Sequence, residues 1–129
     1  MEPRILLIDD DDLTREIFAT TLREAGYEVF ELPSPIGASR TIMNEQIEIV
    51  VLDMYMPQLN GDKFAKMLRN TPRLERIAIV LISSCDPTEL ADTARRVRAD
   101  AVVSKADAST QLVPTIRRIA NRMLRSRIR

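Results

Sequence analysis

An α/β fold with an all-parallel five-stranded sheet is predicted by three features of the sequence. Five short apolar runs alternate with stretches of helical periodicity along the 129 residues, the pattern of repeated βα units. Three of the runs, at 4–8, 47–52 and 77–82, are rich in Ile, Val and Leu with few polar interruptions, as strands covered on both faces are. The length suffices for one compact domain with a real core and is short for two, so residues 1–129 are expected to form a single domain, with no effector domain following within the chain.

Each element carries its own punctuation. The first strand, 4–8, runs into four consecutive acids, Asp9 to Asp12, and then a helix bearing Leu13, Ile17 and Leu22. Asp12 is the expected N-cap of that helix, Asp11 a solvated neighbour at its positive end, and Gly26 its left-handed stop. After the strand at 27–32, Ser34 is placed to cap a second helix with Pro35 at its first position. The strand at 47–52 precedes a helix that follows Gly61, turns Phe64 and Leu68 inward and ends before Thr71-Pro72. Beyond the strand at 77–82, Asp86-Pro87-Thr88-Glu89 reads as an N-cap, a first-turn proline and a capping-box Glu. The last strand, 101–104, leads to a helix with Leu112, Ile116, Ile119, Met123 and Leu124 on one stripe and Arg117, Arg118, Arg122 and Arg125 largely off it. Ser109 could cap this helix, but Pro114 would then remove a backbone bond in the second turn, so a later start is the alternative.

Composition excludes several chemistries. There is no histidine, which removes Ser-His-Asp and Cys-His nucleophilic systems and histidine-ligated zinc. The single cysteine, Cys85, forms no intrachain disulfide, no apolar run approaches the ~20 residues that span a bilayer, and Met1-Glu2-Pro3-Arg4 lacks a signal-peptide pattern; a cytoplasmic protein is expected. The net charge of zero conceals a division. Residues 1–94 hold 9 basic and 17 acidic side chains and residues 95–129 hold 10 basic and 2 acidic ones, so acidic chemistry and a basic surface lie in different halves.

If the strands are parallel, their C-terminal ends share one sheet edge, where open α/β sheets bind their ligands. The residues found there are Asp9 and Asp10 after the first strand, Asp53 after the third, Ser83 after the fourth and Lys105 after the fifth. Each alone has a bland explanation: Asp53 could begin a loop, Ser83 could bond locally, Lys105 could be a surface cation. Three carboxylates, a hydroxyl and an ammonium all falling at strand ends is the specific signal. Clustered carboxylates either raise one another's pKa or hold a hard, oxygen-preferring cation such as Mg²⁺.

On these residues the chain resembles a response-regulator receiver domain of two-component signalling, similar to the stand-alone chemotaxis response regulators. The motifs are Ile5-Leu6-Leu7-Ile8-Asp9-Asp10, Val51-Leu52-Asp53-Met54-Tyr55-Met56-Pro57 with Gly61 eight residues after Asp53, Leu81-Ile82-Ser83-Ser84, and Ser104-Lys105. The resemblance implies a flavodoxin-like doubly wound (βα)5 fold with strand order 2-1-3-4-5. It implies Asp53 as phosphoacceptor and Mg²⁺ as cofactor, bound by Asp10, Asp53 and the backbone carbonyl of Tyr55, with Asp9 acting mostly through water. Lys105 would pair with the phosphoryl group and Ser83 would hydrogen-bond it. The implied partners are a histidine kinase or histidine phosphotransfer protein and a downstream protein target on the face of the fourth helix, fifth strand and fifth helix, with a homodimer compatible and no membrane.

Three positions depart from the family pattern. Ala106 stands where a cis-proline usually follows the lysine, so the loop should be trans and differently shaped, or strained, and Lys105 less well aimed. Val102 replaces an aromatic side chain that rotates on activation. Arg98 replaces the usual glycine before the fifth strand. Tyr55 and Cys85, two residues beyond the acceptor and the switch hydroxyl, do not readily position an attacking water, which predicts slow loss of the phosphoryl group.

Other function classes are weaker. A degenerate receiver, scaffolding a partner without phosphorylation, would suit Ala106 and Val102. A metal-dependent phosphatase with an Asp nucleophile lacks the second acid at position 55. Direct nucleic-acid binding by Arg117, Arg118, Arg122, Arg125, Arg127 and Arg129 is disfavoured, because no aromatic residues interleave with the basic ones.

Overall fold

The computed structural model describes residues 2–54, 61–84 and 87–128. Its strands are β1 (Ile5–Ile8), β2 (Val29–Leu32), β3 (Ile49–Asp53), β4 (Ala78–Ser83) and β5 (Ala101–Ser104). They alternate with helices α1 (Asp12–Glu24), α2 (Ala38–Asn44), α3 (Gly61–Asn70), α4 (Pro87–Val97) and α5 (Ala108–Ile128), with a 3₁₀ turn over Lys105–Asp107. The strands form one sheet in the order β2-β1-β3-β4-β5, every pairing parallel. This is the predicted topology, with β1 and β3 at its centre.

Strict two-residue alternation sorts the sheet into two cores. Ile5, Leu7, Ile49, Val51, Val80, Ile82 and Val103 pack with Phe18, Ala19 and Leu22 of α1 and Leu112, Ile116 and Ile119 of α5. Leu6, Ile8, Val50, Leu52, Ile79 and Leu81 pack on the opposite side with Ile42 of α2 and Phe64, Ala65 and Leu68 of α3. The central strands are buried on both faces, which is why their sequences are continuous in branched apolar residues; burying each such side chain stabilises by about 1.5–3 kcal/mol.

Three strands start later than the apolar runs suggest, because the preceding residues belong to helix stops after α1 and α2 and to a turn beyond α3. Tyr27 N–H donates to Leu22 O at 3.2 Å and Gly26 N–H to Arg23 O at 3.0 Å, the paired bonds of a Schellman motif with Gly26 in the left-handed conformation (φ 100°). Ile47 N–H donates to Ile42 O at 3.0 Å and Ile77 N–H to Leu74 O at 3.2 Å, so neither amide is available to the sheet ladder. Gln46 (φ 54°) and Arg98 (φ 56°) adopt the same left-handed stop after α2 and α4. At the second of these, Ala99 N–H reaches Ala94 O at 2.9 Å. Arg98 therefore terminates α4, and the arginine occupies a conformation that disfavours any Cβ.

Other local expectations are corrected. Asp11, not Asp12, is the N-cap of α1, and Asp12 lies in the first turn. Of Leu13, Ile17 and Leu22, only Leu22 faces the core; Leu13 and Ile17 are 65% and 53% exposed. Ser34 and Pro35 do not start α2. The Ser34 hydroxyl accepts from Ile36 N–H at 3.2 Å, Ala38 N–H closes a turn on Pro35 O, and Gly37 at φ 82° separates that turn from the helix. Helix α5 runs through Pro114 without a later start; Pro114 and Thr110 are both exposed, so water can satisfy the carbonyl that the proline leaves without a donor. Leu124 is exposed, and the inward stripe of α5 ends at Met123, which packs half-buried against the core. Asp86, the expected cap of α4, lies outside the described residues.

Arg69 ties down the edge of the sheet opposite the acids. From α3 it donates to Glu75 O at 2.9 Å, Ile77 O at 2.7 Å and Arg98 O at 2.7 Å, and to Asp100 Oδ2 at 3.0 Å. Asp100 in turn accepts from Ile79 N–H at 2.8 Å and from Arg122 of α5 at 3.0 Å. Because the Arg98 carbonyl is held while its φ is unfavourable, Arg98→Gly should relieve strain and stabilise the fold by about 0.5–1 kcal/mol. Urea unfolding measures this, and an unchanged or lowered midpoint would contradict it.

Candidate functional site

Register brings the strand-end residues to one edge. Ile8 is paired with Leu52, so Asp9 emerges level with Asp53. Asp53 is paired with Ile82, and Ile82 with Val103. Ser83 is paired with Ser104 one step further on, and Lys105 follows. The predicted site is thus a consequence of parallel pairing among β1, β3, β4 and β5.

Side-chain geometry completes the cluster. Carboxylate oxygens of Asp9, Asp10 and Asp53 lie within 4.8 Å of one another. Asp9 is 2% and Asp53 5% exposed, whereas Asp10 is exposed. Lys105 Nζ donates to Asp53 Oδ2 at 3.1 Å and lies 3.7 Å from Asp9 Oδ2. The ammonium is therefore well aimed despite Ala106, on a chain whose described peptide bonds are all trans. Ser83 is fully buried at the end of β4. Tyr55, expected to offer a carbonyl to the metal, and Cys85 lie outside the described residues, as does Pro57.

The electrostatics follow from this crowding. Burial raises the pKa of Asp9 above its ordinary 3.8, opposed by the hydrogen bond from Asp11 N–H and reinforced by the Asp53 charge. Burial pulls Lys105 down, but its hydrogen bond to Asp53 and the charges of Asp53, Asp9 and Asp10 prevail and hold it above 10.5. Lys105 thus stays protonated at neutral pH and offsets part of the acidic repulsion. An all-oxygen donor set of three carboxylates, one of them facing solvent, fits a hard divalent cation of the Mg²⁺ type.

The β1–α1 loop is held by groups that sequence reasoning missed. Asp9 N–H donates to Leu32 O at 3.2 Å, Asp11 N–H donates to Asp9 Oδ1 at 2.9 Å, and Arg15 Nη1 donates to Asp9 O at 2.7 Å. The Asp11 carboxylate accepts from the Thr14 hydroxyl, which holds its pKa below the usual carboxylate range. Arg15 sits at inward spacing with Phe18 and Leu22, a signal masked because an arginine on that stripe reads as polar.

The Asp9 shift has a sign that can be tested. A folded-state pKa above the unfolded value means stability that is complete below about pH 3.8 and is lost as pH rises through the folded value. In metal-free buffer Asp9→Asn should therefore be more stable than the parent at neutral pH, with the difference closing as the pH falls below 3.8. Thermal melts across that range test this; a variant less stable than the parent at pH 7 would contradict it.

Comparison with known proteins agrees with the fold. A family model described as response regulator receiver domain matches residues 5–117. The chain is 26% identical over 110 residues to the gliding motility regulatory protein of Myxococcus xanthus, covering 85% of this chain and 14% of that protein. It is 30% identical over 122 residues to the response regulator MprA of Mycobacterium sp., covering 95% of this chain and 52% of the relative. The chain thus spans about half or less of the length of these curated relatives. A CheY-like response regulator receiver domain protein from Methanospirillum hungatei superposes with a TM-score of 0.86 at 19% identity, over 98% of this chain and 99% of that one, a likeness of fold. Among the described residues no helix is long and apolar enough to cross a membrane. The chain belongs to the response regulator receiver domain family, the phosphoacceptor modules of two-component signalling.

Proposed function

We propose that this chain is a phosphorylation switch in which Asp53 accepts a phosphoryl group from a phosphohistidine on a histidine kinase or histidine phosphotransfer protein. With no histidine among its 129 residues, the chain would take the group from a histidine outside them. The observation that carries the reading is the meeting of Asp9, Asp10 and Asp53 within 4.8 Å, with Lys105 3.1 Å from Asp53.

In the proposed step an Asp53 oxygen bonds to phosphorus as the bond between phosphorus and the donor's imidazole nitrogen breaks. The electron pair remains on the imidazole, which takes up a proton, and Asp53 becomes an acyl phosphate. Asp10, Asp53 and the Tyr55 carbonyl would hold Mg²⁺, with Asp9 acting mostly through water. The ion would supply positive charge to the phosphoryl oxygens. Lys105 would exchange its Asp53 contact for the phosphoryl group. Ser83, at the neighbouring strand end, would hydrogen-bond a phosphoryl oxygen only in the modified state and so shift the loop after β4. The chain consumes one donor per switch and is no multiple-turnover enzyme in this reading.

Surface features suit a cytoplasmic protein with protein partners. Leu13 and Ile17 stand exposed on α1 beside the acidic loop, an apolar landing area for the donor. Val102 is 39% exposed on the edge strand β5, between α4 and α5, the proposed face for a downstream target or a second copy. Nucleic-acid binding through α5 is not part of the reading, since Arg122 pairs with Asp100 and Arg127 with Glu48.

Incubation with acetyl phosphate and Mg²⁺ should add one phosphoryl group by intact-mass spectrometry, lost in Asp53→Asn and with a chelator. Modification that persists in Asp53→Asn would overturn the assignment. Tyr55→Asn, by supplying a group able to orient water, should shorten the lifetime of the phosphorylated protein. A lifetime of seconds in the parent, left unchanged by this substitution, would contradict slow hydrolysis.

A further inference from the structure

We infer that Arg15 is the positioning residue for the cation site: it fixes the Asp9–Asp10 peptide, and through it the exposed Asp10 carboxylate, by clamping the Asp9 carbonyl. The inference rests on the Mg²⁺ reading above and concerns how this chain builds the site.

Asp10 differs from its two acidic neighbours. Asp53 lies within β3 and is set by the ladder, and Asp9 is anchored through its amide by Leu32 and through its carboxylate by Asp11. Asp10 lies past the end of β1 and is exposed; among the described residues its carboxylate has no hydrogen bond or ion pair. Something else must aim it. A peptide unit is a rigid plane, so a bond that fixes the direction of the Asp9 carbonyl also fixes the Asp10 amide and Cα. The bond from Arg15 Nη1 to Asp9 O, at 2.7 Å, does this.

The guanidinium that makes the bond is itself locked. Its Nη2 donates to Asp12 Oδ1 at 2.7 Å and its Nε lies 3.5 Å from Glu31 Oε1, with the side chain only 14% exposed. Glu31 also pairs with Arg23 at 3.0 Å, and Arg23 donates to Val29 O at 2.7 Å. The clamp therefore spans α1, the acidic loop and β2. Two carboxylates already compensate the Arg15 charge, so its effect on the site is geometric. A planar fork can serve three acceptors in fixed directions, whereas a lysine ammonium on a flexible stem is a point charge.

The test compares Arg15→Ala, Arg15→Lys and Arg23→Ala in the full chain, by Mg²⁺ calorimetry and by amide chemical shifts of the metal-free proteins. Both Arg15 variants should bind Mg²⁺ about tenfold or more weakly, the usual effect of removing a group that orients a ligand. The Asp10 and Asp11 amide resonances should move before any metal is added. Arg23→Ala, which cuts the same chain of ion pairs beyond Glu31, should keep the parent's affinity. Parent-like affinity in folded Arg15→Lys would overturn the inference by showing that charge suffices. Equal losses in the Arg15 and Arg23 variants would overturn it by showing a general structural effect. If Arg15→Ala does not fold, Arg15→Lys decides. If the parent binds no Mg²⁺, the functional reading fails, and an unmoved Asp10 amide in Arg15→Lys separately overturns the positioning.

Discussion

The feature on which the rest of the molecule depends is mutual repulsion among Asp9, Asp10 and Asp53, held within 4.8 Å of one another with two of them almost fully buried. Like charges at that distance, partly out of water, disfavour the state that contains them. The sheet imposes the arrangement: β1 and β3 are central strands, buried on both faces, and cannot separate without exposing the core. Lys105 offsets part of the repulsion through its contact with Asp53. In the proposed mechanism a divalent ion completes the compensation and also offsets the negative charge that the phosphoryl group brings, so the same strain that costs stability favours binding of the ion.

The two edges of the sheet do different work. At the C-terminal edge, ionisable groups converge from the ends of β1, β3 and β5. At the opposite edge, Arg69 gathers the carbonyls of Glu75, Ile77 and Arg98 together with Asp100, and Asp100 reaches on to α5 through Arg122. The network pins the starts of β4 and β5, and with them the strands whose far ends carry Ser83 and precede Lys105. Strain at one edge is thereby supported by a polar network at the other, in which Arg69 Nη1 and Nη2 are bonded and the buried Nε has no hydrogen-bond partner among the described residues.

Much of this was legible in the sequence because the informative residues obey one-dimensional rules. Continuous apolar runs predicted buried parallel strands, and counting to their ends located Asp9, Asp53, Ser83 and Lys105 before any register was known. The residues that escaped prediction act through contacts made only on folding. Arg15 gives no sign that it faces a carbonyl six residues back, and Arg69 none that it meets Asp100. Gln46 and Arg98 hide helix stops because the usual signal, glycine, is missing there. Ser34-Pro35 reads as a helix start until Gly37 breaks the turn, and Leu13 and Ile17 read as core until Phe18 and Leu22 define the inward face.

The central claim is that the cluster accepts a phosphoryl group at Asp53 with a divalent cation. Fluorine NMR of the parent chain with beryllofluoride, a stable mimic of the phosphoryl group, tests it most directly. The account predicts a protein-bound fluoride resonance that requires Mg²⁺ and vanishes in Asp53→Asn. No bound resonance at saturating Mg²⁺, or one that survives the loss of Asp53, would contradict it.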